Sequence, residues 1–137
     1  MIIKIPNNKH IETAIDYLDD NKELVNEEGI DSTFKSYISS FGGSIIQSGL
    51  MGTLMTFEAN ANKAKIINAL FALYNTNFPN ATIVNNNQPY YKVIKSKTDA
   101  EKKEIRNKLI EMAVALKLAM RCFKTTDNNT PNSEDHE

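Results

Sequence analysis

The stretch Phe41–Phe57, FGGSIIQSGLMGTLMTF, contains no acidic or basic residue, yet four of its seventeen positions are glycine. Glycine inside a helix costs about 1 kcal/mol relative to alanine. At about 100° per residue, the apolar and the small side chains separate onto two faces of a helix. The apolar stripe comprises Ile46, Leu50, Leu54 and Phe57, and the small face comprises Gly42, Gly49, Thr53 and Thr56. We predict a central helix whose glycines let neighbouring backbones approach closely.

Helical patterns precede this stretch. Asn8 can cap a first helix of regularly spaced apolar residues, and Gly29 is a typical residue to end it. Asp31 or Ser32 then begins a short second helix. We expect the pair Gly42–Gly43 to break or hinge the chain between this second helix and the central one.

Helical patterns also follow the central stretch. An asparagine at position 60 or 62 caps the next helix, which ends before Pro79. The β-branched and aromatic residues of 81–94 favour either a small hairpin or an extended excursion. A capping box, TDAE at residues 98–101, opens the longest helix, which we expect to run to about Lys124.

Together these patterns predict an all-α fold: a single-domain bundle of five or six helices over residues 1–124, around the central glycine-containing helix. Residues 125–137 hold four acidic residues and no basic one, so we expect a disordered acidic tail. The single cysteine excludes an internal disulfide framework, and no apolar run has the length of a membrane span. We therefore expect a soluble, cytoplasmic protein.

The formal net charge of −1 conceals strong segregation of charge along the chain. Residues 1–34 hold three lysines against eight acidic residues, whereas residues 90–124 hold ten Lys and Arg against four acidic residues. A chain with an acidic front and a basic back can attract polyanions locally or stack head to tail with copies of itself. Solvated helix faces that simply vary in sign explain the same pattern equally well.

The last helix has an apolar face and a basic face. The apolar face, expected in the core, comprises Ile105, Leu109, Met112, Leu116, Ala119 and Phe123. The basic face comprises Lys103, Arg106, Lys117, Arg121 and Lys124, which fall within about 60° of one another. Ile110 and Val114 lie on the basic face, where they either form part of a partner surface or pack against another helix of the bundle.

Residues suited to catalysis are sparse. His10 lies at a helix start and His136 in the tail, and Cys122 falls beside the core stripe, where we expect a buried structural cysteine. No metal-ligand spacing and no phosphate-binding Gly-Lys-Ser/Thr sequence occurs. We predict a non-enzyme that binds no cofactor and no metal.

Nucleic-acid binding is the function that the basic residues favour. Lysine and arginine on a helix face neutralise phosphates without reading sequence, and stacking platforms for bases are not evident. The candidate phosphate-binding residues are Lys35, Lys63, Lys65, Lys103, Arg106, Lys117, Arg121 and Lys124.

The order of segments resembles a known family, the small α-helical subunit of the type III-B CRISPR–Cas effector, the Cmr (RAMP module) complex. Two stretches carry the resemblance, FKSYISSFGGSIIQSGLMGTLMTF at residues 34–57 and EMAVALKLAMRCFK at residues 111–124. A third feature is a lysine soon after the first stretch, here Lys63 or Lys65. The resemblance covers about residues 10–124.

This resemblance implies a non-catalytic scaffold in antiviral defence. Copies of such subunits stack within the effector beside the subunits that hold the guide RNA, and they help to bind the target RNA. The expected partners are therefore other Cmr subunits, further copies of this chain, and the guide and target RNA. Two alternatives remain: the small subunit of the related type III-A (Csm) complex, and a helical protein–protein adaptor that does not bind nucleic acid.

Overall fold

The computed structural model describes residues 8–126. The α-helices are α1 (Asn8–Asp20), α2 (Ser32–Glu58), α3 (Ala61–Asn77), α4 (Tyr90–Lys95) and α5 (Asp99–Met120), and the strands are β1 (Val25–Asn26), β2 (Gly29–Asp31) and β3 (Thr125–Thr126). This composition confirms the predicted all-α class. Residues 1–7 and 127–137, which include most of the predicted acidic tail, lie outside the described residues. Within residues 8–126, no helix is long and apolar enough to cross a membrane.

One hydrophobic core joins the helices. The helix α5 packs against α1, α2 and α3, while α2 also contacts α3, α4 and β2. Buried aromatic rings lie in this core, among them Phe71 of α3 and the α2 pair Phe41 and Phe57, whose ring centroids are 5.7 Å apart. Burial of one such side chain contributes about 1.5–3 kcal/mol. The predicted core residues of α5 are buried from Ile105 to Ala119.

Three of the predicted helix starts, those of α2, α3 and α5, are confirmed by side-chain caps. The Asp31 carboxylate accepts a hydrogen bond from the Thr33 N–H at 2.8 Å. The Asn60 side chain accepts from the N–H groups of Asn62 and Lys63, both at 3.0 Å. Thr98 and Glu101 form the reciprocal capping box at the start of α5. These caps satisfy backbone donors that the first turn of a helix leaves without partners.

The break in the glycine-rich stretch lies at Gly49, so the prediction of a break at Gly42–Gly43 was wrong. Gly49 has φ 75° and ψ 175°, which interrupts α2, whereas the helix continues through Gly42 and Gly43. The hydroxyl oxygens of Ser44 and Thr53 lie 2.9 Å apart. Nine residues of straight helix would separate them by about 13 Å. The segments 32–48 and 50–58 therefore fold back against each other as two arms.

This fold-back changes which residues of the stretch are buried. Leu50, Leu54 and Phe57 are buried as predicted, but Ile46 is 62% exposed and its neighbour Ile45 is buried instead. The prediction for Ile46 failed because the helical phase was carried across the break at Gly49. No atom lies within 4 Å of a Cβ built at Gly42, Gly43 or Gly49, so the expected close approach of another backbone does not occur at these glycines.

The close approach occurs at Gly29. Its φ is 131°, and a Cβ built there would overlap the carbonyl group of Lys124. The next residue, Ile30, donates its N–H to the same Lys124 oxygen at 2.8 Å. The strand β2 thereby pairs in parallel with β3 and antiparallel with β1. Gly29 belongs to this small sheet rather than to the end of the first helix, which stops at Asp20.

The end of the last predicted helix and the start of the predicted tail shift for the same reason. The helix α5 ends at Met120 rather than at about Lys124, because the chain turns at residues 121–123 and enters β3. Thr125 and Thr126, predicted as the start of the tail, are β3 residues instead. Within the described residues, the helical bundle thus closes on a three-stranded sheet that the periodicity of the sequence did not indicate.

Residues 79–97 form no hairpin, and their second apolar stretch is helical rather than extended. A single 3₁₀ turn, Pro79–Ala81, follows α3, and Tyr90–Lys95 is the helix α4. Ile83 is buried, and the Asn75 side-chain amide bonds both its N–H and its C=O, at 2.8 and 2.9 Å. This side-chain pairing replaces the strand partner that a hairpin would have supplied.

Candidate nucleic-acid interface

The basic face of α5 divides into two clusters. Lys103, Lys117 and Arg121 are exposed, and Arg106 is half-buried. Between the clusters, Ile110 is 7% exposed and belongs to the core. The structure therefore favours the interpretation in which Ile110 packs within the bundle. Arg106 and Lys117 are separated by about 16 Å of helix, so no continuous basic stripe reaches the surface.

The cations at the end of α5 form one group together with Lys35 from α2. We call this group the carboxyl-terminal cluster; it comprises Lys35, Lys117, Arg121 and Lys124. Arg121 is the C-cap of α5 and Lys124 lies just after it, and both side chains are exposed. Lys35, on α2, donates to the Phe123 carbonyl at 3.3 Å and to the Thr125 hydroxyl. This contact joins Lys35, distant in sequence, to the end of α5.

Acidic side chains border the carboxyl-terminal cluster. One open cleft is lined by Asp19, Glu27 and Glu28 together with Cys122 and Lys124. The acidic front and the basic back of the sequence therefore meet at this end of the bundle. Cations at a helix C-terminus also interact favourably with the helix dipole, by about 0.3–1 kcal/mol each, so part of their role is structural.

Lys63 and Lys65 of α3 lie over aromatic rings. The Lys63 ammonium is 5.5 Å from the Tyr37 ring centroid and 5.3 Å from that of Phe57. The Lys65 ammonium lies 5.8 Å from the Phe34 centroid. Both lysines are half-buried, and these cation–π contacts contribute about 0.5–1 kcal/mol each. The fold fixes Lys63 and Lys65 against α2.

Lys103 and Arg106 lie near the start of α5. The Arg106 guanidinium donates a hydrogen bond to the Asn107 side chain at 3.0 Å, whereas the Lys103 side chain is exposed. The eight predicted residues therefore occupy three places: the carboxyl-terminal cluster, the aromatic face of α2, and the start of α5.

Two groups of functional interest were missed by the sequence interpretation. The α4 lysines Lys92 and Lys95 are both exposed, and they went unnoticed because their segment was expected to be extended. His10, for which no partner was expected, is buried with its Nδ1 3.1 Å from the Glu111 carboxylate. The only signal for that pair was a histidine on the apolar side of α1.

The half-buried Glu58 carboxylate accepts hydrogen bonds from the backbone. It accepts hydrogen bonds from the N–H groups of Tyr90 at 2.6 Å and Tyr91 at 2.9 Å, and so caps α4. Burial raises the pKa of Glu58 above its ordinary value, although the two backbone hydrogen bonds lower it. Because Glu58 lies more than thirty residues before α4, no local pattern predicts this cap.

The remaining candidates for chemistry are few. Cys122 is exposed, so the expectation of a buried structural cysteine was wrong; α5 ends two residues earlier and leaves the thiol in the following turn. Among residues 8–126, no group of three His, Cys, Asp or Glu side chains is placed to hold a metal ion. No family model, characterised protein or solved structure matches this chain. The functional argument therefore depends on the residues themselves and on the resemblance described above.

Proposed function

We propose that this chain is a non-catalytic small subunit of a type III-B CRISPR–Cas (Cmr) effector complex. In this role it stacks with copies of itself and with other subunits, and its cations contact the phosphates of the target RNA. The guide RNA lies on neighbouring subunits of the same assembly. The proposed location is the cytoplasm, where the effector acts in antiviral defence.

The observation that supports the proposal best is the carboxyl-terminal cluster. It places Lys117, Arg121 and Lys124 in solvent at one end of α5, and Lys35 is hydrogen-bonded to the Phe123 carbonyl beside them. Flexible cations on a rigid frame suit sequence-independent contact with phosphates. The resemblance of residues 34–57 and 111–124 to the small-subunit family supplies the identity of the assembly, and these residues form α2 and the end of α5.

A helical adaptor is the second candidate, and one observation favours it. Asp19, Glu27 and Glu28 line the same cleft as Lys124, so this end of the bundle presents both signs of charge. Such a surface also suits a protein partner of complementary mixed charge. The two candidates differ in whether RNA is bound at all.

Purification of the tagged chain from its native cells tests the identity of the assembly. We expect a large polymerase-like subunit, several RNA-recognition-fold subunits and a guide RNA to co-purify. Mass spectrometry of these subunits separates type III-B from type III-A. Recovery of unrelated proteins without RNA would contradict the proposal and favour the adaptor.

Charge reversal tests the site within the purified complex. We expect Lys117→Glu/Arg121→Glu to weaken target-RNA binding and to reduce the salt dependence by about 0.7 per lost phosphate contact. The matched control is Lys117→Arg/Arg121→Lys, which exchanges the same two exposed side chains and keeps their charge. Equal RNA affinity of both variants and the parent complex across a salt series would refute the assignment of the carboxyl-terminal cluster.

A further inference from the structure

Five lysines lie along the segment that joins α4 to the first turns of α5. Lys92 and Lys95 are exposed and three residues apart, so they lie on the same side of α4. Lys97 follows α4, and Lys102 and Lys103 lie near the start of α5. We call these five lysines the α4–α5 corner. It lies at the opposite end of α5 from the carboxyl-terminal cluster.

The backbone that carries these lysines is fixed by tertiary contacts. The Glu58 carboxylate caps α4 through the N–H groups of Tyr90 and Tyr91. The Tyr90 ring stacks on Phe71 with the centroids 3.9 Å apart, and Ile94 is fully buried. A helix of six residues would be unstable alone, but these contacts hold Lys92 and Lys95 in a defined position.

The positive charge of the corner is poorly compensated. Glu101 is engaged in the capping box with Thr98, and Glu104 pairs with Lys108 at 3.2 Å. None of the five lysines forms a salt bridge with a carboxylate of residues 8–126. Glu101 also interacts electrostatically with Lys97, but residues 92–108 together hold seven cations and only three carboxylates. A surface of this charge attracts polyanions.

Neutral hydrogen-bond donors precede these cations in the sequence. Asn86, Asn87 and Gln88, just before α4, are exposed, and the two asparagines have φ values of 49° and 66°. Phosphate and sugar oxygens of nucleic acids accept from lysine and from side-chain amides alike. The Tyr90 ring is stacked within the protein, and so it is not offered to a base. These features fit the backbone of a nucleic acid rather than its bases.

We propose that the α4–α5 corner is a second surface for the sugar–phosphate backbone of single-stranded RNA. This inference depends on the proposed function, because it assigns a further contact to the same ligand. Lys103 and Lys117 are separated by about 21 Å of α5. One strand that reaches both surfaces binds more tightly than a strand that reaches one, since its second contact is intramolecular.

The test measures binding of fluorescein-labelled oligouridine to the purified full chain by fluorescence anisotropy at several salt concentrations. We expect Lys92→Glu/Lys95→Glu to lower the affinity at low salt by about tenfold and to reduce the salt slope by about 0.7 for each lost contact. The control Lys92→Arg/Lys95→Arg replaces the same two exposed side chains and keeps their charge. Circular dichroism of each variant checks that the helices are retained.

The outcomes separate this inference from the proposed function. If Lys117→Glu/Arg121→Glu weakens binding and Lys92→Glu/Lys95→Glu equals its control, the corner is not an RNA surface while the proposed function stands. If the wild-type chain does not bind oligouridine at low salt, both are overturned. If polyglutamate competes as well as unlabelled oligouridine at equal charge, the corner fits an acidic protein and the RNA assignment fails.

Discussion

Gly49→Ala should destabilise the fold through the backbone alone. Gly49 has φ 75° and ψ 175°, a conformation that is essentially restricted to glycine and costs another residue about 1–3 kcal/mol. No atom lies within 4 Å of the added Cβ, so no steric clash contributes. At roughly 4 °C per kcal/mol for a domain of this size, the melting temperature should fall by about 4–12 °C.

The matched control is Gly43→Ala. Gly43 continues the helix, and its Cβ would also meet open space. Alanine should therefore leave the stability unchanged or raise it by up to about 1 kcal/mol. Thermal and urea unfolding followed by circular dichroism measure both variants. Equal destabilisation by the two substitutions, or an unchanged melting temperature for Gly49→Ala, would refute a fold-back at Gly49.

Two further predictions concern the small sheet and the α4 cap. Gly29→Ala should destabilise the protein and speed hydrogen exchange of the Ile30 amide, because the added Cβ would overlap the Lys124 carbonyl; unchanged exchange there would contradict the pairing of β2 with β3. The raised pKa of Glu58 means that the folded state holds a proton more tightly than the unfolded state, whose ordinary value is 4.5. The free energy of unfolding should thus decrease as the pH rises from about 4.5 through the raised pKa, and urea titrations of Glu58→Gln should lack that decrease. An identical pH slope in the variant and the wild type would show that another group is responsible.

Local patterns predicted the helices well where the stabilising groups lie within a few residues. Asp31 and Asn60 cap their own helices, and the capping box at residues 98–101 is likewise local. Two of the failures have a non-local cause. Position 29 has no room for a side chain because the Lys124 carbonyl lies against it, and the Glu58 carboxylate caps α4. Both partners are distant in sequence. No window of helical length contains either pair.

The sequence predicted which side of α5 carries the cations, but not that the basic surface is interrupted. The period of 3.6 residues correctly placed Lys117 and Arg121 on one side of α5, and both are exposed. The same period placed Ile110 among them, but it does not show that this turn of α5 is buried in the bundle. It also gave no reason to group Lys35 with the end of α5, since that contact depends on how α2 and the turn after α5 meet.

The buried polar side chains stabilise the fold, so the functional argument depends on the exposed cations. Among the described residues, the buried polar side chains are His10, Thr53 and Glu111. Thr53 bonds Ser44 and closes the fold-back, and His10 lies against Glu111 and joins α1 to α5. Each of these groups contributes to packing of the bundle, where removal of one partner would leave the other buried and costly. Binding to a partner must then come from side chains that folding leaves in solvent, and the exposed cations of α5 and its C-cap, Lys103, Lys117 and Arg121, lie toward its two ends. A ligand that contacts both ends has to extend along the helix, which is the geometry of a strand rather than of a compact molecule.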